Sequence, residues 1–299
     1  MAGRLAAFLL NAPARRPAPD ERYCHPRGGL PGRLGAWLLN ARRLARLRHA
    51  LFARLPFPVL ESDVVDVVYL TWMVDLGAAQ AMVPPGVWLR DCAGKTPFTV
   101  LTYRHGHFGP RALGRLRGLF PSPLQSNWRL YLDPARHPDL PDKTVYFVKN
   151  VMDSALYTFA TRLSSDIMQT HLAAALVHQV DGGRWRTMIA AGAGSAPALA
   201  CTAVLGEPGL PPGFAHVGAW VDAVGDLACQ DAAIGWADRQ ERMALAHIDL
   251  PIALDEVRPL KVEEKDVDCP LLARLGTAGP PLAFVVPRVR FRVLSERLL

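Results

Sequence analysis

Asn127, Arg129 and Tyr131 occupy alternate positions of the stretch QSNWRLYL, and Trp128, Leu130 and Leu132 fill the positions between. Successive side chains of a strand point to opposite faces, so an amide, a guanidinium and a phenol share one face and three apolar groups share the other. On an ordinary half-buried sheet the polar row would meet water. Turned into a cavity, the same row could hold a carboxylate or enolate, because the arginine fork matches such oxygens. It could equally stitch neighbouring strands together. Lys149 in VYFVKNVM stands out among only five lysines, since it shares a strand face with Val145, Phe147 and Val151. Desolvation there would depress an amine pKa and favour a nucleophile, whereas snorkelling to water is the default for a strand lysine. His105 and His107 in YRHGHFG have strand spacing, but no third ligand is near, so no metal is expected.

The familiar signatures are missing. The chain has no GxGxxG after a strand, no GxxxxGK[ST], no HExxH and no GxSxG elbow, and no cofactor is expected. The Gly-rich AAGAGSAP reads as a flexible loop. The five cysteines are scattered without a CxxC pair, as in reduced cytoplasmic proteins. No apolar run approaches the ~20 residues that span a bilayer, and LAAFLL is too short for a signal-peptide core. A cytoplasmic protein is therefore expected. The net charge of +7 is unevenly spread, because residues 1–60 hold eleven arginines against Asp20 and Glu21. The remainder is slightly acidic and lacks a basic stripe interleaved with aromatics, which argues against nucleic acid as a partner.

Residues 1–31 read as an irregular basic arm and 32–57 as an amphipathic basic helix. Leu34, Trp37, Leu38, Ala41, Leu44 and Ala45 recur at helical spacing, with arginines opposite. Such a helix suits an anionic membrane surface, a partner, or the protein's own apolar surface, the last being the commoner arrangement. From residue 60 to 299 the texture is β. VVDVVYLTW, PFTVLTYRH, NWRLYL, TVYFVKNVM and the closing VRFRV all read as strands, while SALYTFATRL and DIMQTHLAAALVHQ read as helical.

The run DVVYLTWMVDLGAAQAMVPPGVWL followed by TPFTVLTYRH resembles the opening of the acetoacetate decarboxylase-like superfamily. The polar-x-Asn-x-Arg-x-Tyr strand, the VYFVKNVMDSALYTFATRL segment, His171 in QTHLAA and the PPLAFVVPRVRFRV end are similar to an uncharacterised bacterial branch of it, a domain of unknown function. The resemblance implies an α+β, mainly β fold: an antiparallel conical β-barrel with helices packed outside and a ligand cavity within. It also implies that the Arg129 row points inward. True acetoacetate decarboxylases carry adjacent lysines, one forming a Schiff base. Those positions align with Thr170 and His171, and neither can form an imine.

Two functions follow from the resemblance. One is a lyase-like enzyme working by non-covalent acid–base chemistry (enolisation, dehydration or decarboxylation) on a keto or carboxylate metabolite. In it His171, Arg129 and Tyr131 are the catalytic residues, and Asn127, Tyr103, Arg104 and Lys149 contact substrate. The other is a non-catalytic barrel binding a small apolar or carboxylated ligand, with residues 32–57 touching a membrane. Convergence of His171 on Arg129 would favour the enzyme. The partner expected in either case is a small molecule, and a homo-oligomer stays open.

Overall fold

The β-branched run from Leu60 to Asp75 forms one continuous strand whose partners bury most of both faces, which is why its sequence scarcely alternates. It opens the barrel in a computed structural model that describes residues 22–52, 55–237, 242–262, 264–277 and 279–299. In chain order the strands are β1 (Leu60–Asp75), β2 (Lys95–Arg104), β3 (Gly109–Pro110), β4 (Leu124–Tyr131) and β5 (Thr144–Met152). Then come β6 (Thr170–Leu172), β7 (Ala175–Asp181), β8 (Arg184–Ala190), β9 (Leu199–Leu205) and β10 (Ala232–Ala237). β11 (Arg242–Asp249), β12 (Arg258–Lys261), β13 (Val267–Asp268) and β14 (Leu282–Leu298) follow. The α-helices are α1 (Leu30–Leu39), α2 (Arg42–Phe52), α3 (Leu76–Gln80), α4 (Ala155–Ser164), α5 (Trp220–Ala228) and α6 (Pro270–Leu275).

Neighbours run β1-β2-β4-β5-β10-β11-β14, and β14 returns to β1 from Leu60↔Val293 to Thr71↔Leu282, which closes a seven-stranded barrel. The expected barrel is present, but it is mixed rather than wholly antiparallel, since β5 pairs with both β10 and β6 in parallel. The cause is connectivity. A hairpin joins antiparallel strands through a short turn, whereas β5 and β10 are separated by α4, four further strands and α5, a crossover that allows a parallel return.

The long β14 also holds β12, and β9, β8 and β7 extend the sheet from there. This outer layer covers one wall of the barrel. Trp128, Leu130 and Leu132 pack in a single apolar core with Trp185, Ile189, Leu199 and Cys201 of the layer. All three side chains, two on β4 and Leu132 just past its end, are essentially without solvent contact. Truncating a buried residue of Trp128's size to alanine costs about 3–5 kcal/mol. The apolar face of β4 is thus held by the outer layer, and its polar face is left to the barrel interior.

Three sequence expectations change. The single helix over 32–57 is two helices, because Asn40 leaves the helical path and exchanges two hydrogen bonds with the Tyr23 backbone, at 3.1 and 2.9 Å. Residues 53 and 54 of it, like 1–21 of the basic arm, lie outside the described residues. DIMQTHLAAALVHQ is β, not helix: Thr170–Leu172 pair with Asn150–Met152, and Ala175–Asp181 pair with β8. Alanine-rich sequence favours helix only weakly, and cross-strand pairing overrides it. The AAGAGSAP stretch is a tightly packed turn rather than a loose loop, since a Cβ on Gly194 would come within 3.0 Å of both the Ala191 carbonyl and the Pro26 backbone.

Candidate functional site

Inside the barrel lies a cavity of about 540 Å³. Its wall takes Tyr69 from β1, Leu101 and Tyr103 from β2, Gln125, Asn127 and Arg129 from β4, Phe147 from β5 and Phe291 from β14. The lining is more apolar than polar; its polar groups are Gln125, Asn127 and Arg129 on β4 and a second set that includes Arg48, Asp166, Arg242, Glu296 and Arg297. No lysine is among the described residues that line it.

Arg129 and Tyr131 are oriented by the end of α5. The last carbonyls of a helix have no partner within it, and here the barrel supplies them. Arg129 Nη2 donates to the Leu227 carbonyl at 2.6 Å, Tyr131 Oη donates to the same oxygen at 2.9 Å, and Gln230 Nε2 donates to the Asp226 carbonyl at 2.8 Å. Tyr131 Oη also meets Thr99 Oγ1 at 2.8 Å, which meets Thr71 Oγ1 at 2.8 Å. The Arg129 guanidinium lies over the rings of Tyr69, at 5.3 Å, and Tyr131, at 5.6 Å. Its Nε is buried without a hydrogen-bond partner, as is Asn127 Oδ1. Buried polar atoms are rarely left so in a folded protein. Burial works against the charge on Arg129, but the facing phenols of Tyr131 and Tyr69 outweigh it. Burial also keeps both tyrosines of the cavity protonated: Tyr69 is pushed up to about 12 and Tyr103 rises further.

A second polar line runs through the wall. Gln125 Nε2 donates to Asn150 Oδ1 at 2.6 Å and Asn150 Nδ2 to Thr170 Oγ1 at 2.8 Å. Gln125 Oε1 must then accept from His105 Nε2, 2.6 Å away, which leaves His105 Nδ1 to accept from Ser62 at 2.8 Å. Burial holds this imidazole neutral, with a pKa down to about 4. His107 is exposed, so the two histidines do not form a common ligand pair.

At the cavity mouth stand Arg48, Phe57, Asp166 and Glu296. Arg48 pairs with Asp166, and Glu296 accepts from Ser165 Oγ at 2.6 Å and from the Asp166 amide. Burial raises the Glu296 pKa despite those donors. Glu296 is the acid–base candidate that sequence reasoning missed. It lies near the end of β14, whose other charged residues are all arginines, and its neighbours come from about 130 residues earlier in the chain.

The expected site is split. Arg129, Asn127 and Tyr103 line the barrel cavity, and Tyr131 buttresses Arg129. His171 and Lys149 do not join them. β6 runs beside the far half of β5, so His171 pairs with Val151 and shares the outward face with Lys149. Both line a separate cavity on the other side of the wall. Arg104 is exposed, as the residue next to inward Tyr103 on a strand must face the other way.

No family model matches the chain, and no curated protein matches it. Solved structures do. Against the enduracididine biosynthesis enzyme MppR complexed with pyruvate the TM-score is 0.55 at 12% identity, over 82% of this chain and 91% of that one. An acetoacetate decarboxylase-like enzyme from Sphingomonas wittichii gives 0.54 at 12% identity, over 82% and 94%. Acetoacetate decarboxylase from Legionella pneumophila gives 0.52 at 9% identity, over 80% and 86%. The chain has the fold of the acetoacetate decarboxylase-like proteins.

Proposed function

We propose that this chain is a small-molecule enzyme of the acetoacetate decarboxylase-like superfamily that acts on a keto or carboxylate metabolite with an apolar body, and does so without a Schiff base. The observation that carries this reading is Arg129: a buried cation with an unpartnered Nε, beside the protonated Tyr69 phenol, in the wall of a cavity whose described lining holds no lysine. In the mechanism, the guanidinium takes the negative oxygen of the substrate and disperses enolate charge as it develops. Asn127 and the Tyr103 hydroxyl orient that oxygen. Glu296, its pKa raised at the mouth, exchanges the proton, the role expected earlier of His171. The setting is cytoplasmic, consistent with five free cysteines. The test is proton exchange into D2O, followed by NMR on a panel of 2-oxo and 3-oxo acids. Exchange at the carbon next to the ketone (C3 of a 2-oxo acid, C2 of a 3-oxo acid) that depends on Arg129 and Glu296 is expected. No exchange or decarboxylation on any member would overturn the enzymatic reading.

A second reading has its own support, because His171 fails to converge on Arg129 and Arg129 already serves a helix end. On this reading the barrel is a carrier, docked on an anionic membrane through α1 and α2. Leu30, Leu34 and Trp37 form a stripe on α1 exposed at 74, 65 and 70%, with Arg33 exposed on the same helix and Arg43 and Arg46 exposed on α2. No helix among the described residues is long and apolar enough to cross a membrane. Co-flotation with phosphatidylglycerol vesicles, lost in Leu34→Glu/Trp37→Glu, would favour it; absence of vesicle binding in the unaltered protein would remove it.

A further inference from the structure

Outside the barrel, behind β5, is the second cavity, of about 360 Å³. Its charged lining is Lys149 and Arg274; His171, Ser195 and Gln169 supply further polar groups, and no carboxylate is among the described residues that line it. Tyr146, Trp236, Met82 and Leu271 form its apolar side. We propose that this cavity is a second ligand site, for a small carboxylate carrying an aromatic or aliphatic body, with Lys149 and Arg274 as its cationic partners.

The hydrogen bonds prepare it for that task. Ser195 Oγ accepts the Cys24 amide at 2.9 Å and lies 2.6 Å from His171 Nδ1, with the Cys24 carbonyl farther off at 3.4 Å. We assign the serine proton to Nδ1, the nearer of its two acceptors, which places the ring's own proton on Nε2. A serine beside an imidazole could suggest acyl transfer. That chemistry needs the ring to become an imidazolium, and burial together with Lys149 and Arg162 lowers the His171 pKa well below its usual value. The pair instead gives a fixed neutral donor next to a lysine, which suits an anion better than a nucleophilic step. The position of Ser195 is set by the glycine-tight turn against residues 24–26, so the chain has placed it with some care for geometry.

The two cavities are neighbours. The β10 ladder on β5 ends at Tyr146 and the β6 ladder begins at Asn150, and in the stretch between them Phe147 and Ile167 line both spaces. The second site does not rest on the chemistry proposed for the barrel. It is tested with 4-bromobenzoate, by titration calorimetry and by anomalous scattering from soaked crystals. Bromine is expected against Trp236, with the carboxylate on Lys149. Affinity should fall roughly tenfold in Lys149→Met, the loss of one charge-assisted hydrogen bond. Arg274 is exposed, so Arg274→Gln tests the same point with no risk to folding, and should also weaken binding. Bromine found only in the barrel, affinity unchanged in both variants, or no binding to the unaltered protein would each overturn the proposal.

Discussion

Replacing Arg129 with Met separates its structural task from its proposed one. The side chain donates to the Leu227 carbonyl at 2.6 Å and lies over two tyrosine rings, at 5.3 and 5.6 Å. A hydrogen bond from a charged donor is worth about 1.5–3 kcal/mol, and each cation–π contact about 0.5–2 kcal/mol. Against these stands the cost of burying a guanidinium, several kcal/mol. The Leu227 carbonyl is not orphaned by the change, because Tyr131 Oη at 2.9 Å and Gln230 Nε2 at 3.3 Å still donate to it. The opposing contributions leave a net effect within about 2 kcal/mol, a Tm shift of no more than about 8 °C at roughly 2–4 °C per kcal/mol for a chain of this size. A bound keto acid, by contrast, loses its charged partner and should bind roughly 10–100-fold more weakly. The assay is thermal unfolding of both proteins with and without 3-oxooctanoate. Stabilisation by the ligand is expected in the unaltered protein and should vanish in Arg129→Met. A variant stabilised as much as the parent would refute Arg129 as a ligand contact, and a variant that does not fold would refute the reckoning at the helix end.

Other expectations concern pH and packing. His105 has a folded-state pKa near 4 against 6.5, so the unfolded chain binds more protons between those values, and stability should fall by up to about 3 kcal/mol as pH drops through that window. Urea unfolding across the range should show a shallower slope in His105→Gln. Glu296 has the opposite sign: its raised pKa means stability falls as pH rises above 4.5, so Glu296→Gln should flatten that limb and not destabilise the protein at pH 7. Gly194→Ala forces a Cβ to 3.0 Å from the Pro26 and Ala191 backbones and should lower stability by about 1–2 kcal/mol in chemical denaturation, with unchanged unfolding refuting the tight turn.

How much of this was legible in the sequence depends on the range of the interactions involved. The alternation of Asn127, Arg129 and Tyr131 against Trp128, Leu130 and Leu132 is local, and the shared faces follow from it. The direction of those faces is set by the outer layer of β7, β8 and β9, which nothing within the strand announces; only the family resemblance supplied it. The placement of His171 outside the barrel cavity is not readable from sequence, because its pairing with Val151 is non-local and the flanking alanines look helical. Glu296 was silent for a similar reason, since its partners Ser165 and Asp166 come from a distant loop. The break at Asn40 could have been suspected, as asparagine favours helix ends, but its partner Tyr23 could not.

The central claim is that the barrel holds a keto or carboxylate group on Arg129 without covalent attachment. A crystal structure with 3-oxooctanoate tests it most directly. The account predicts the ligand inside the barrel, its oxygens on Arg129 and Asn127, its chain along Phe147 and Phe291, and no bond to any amine. A ligand joined to Lys149, or one lodged away from Arg129, would contradict it.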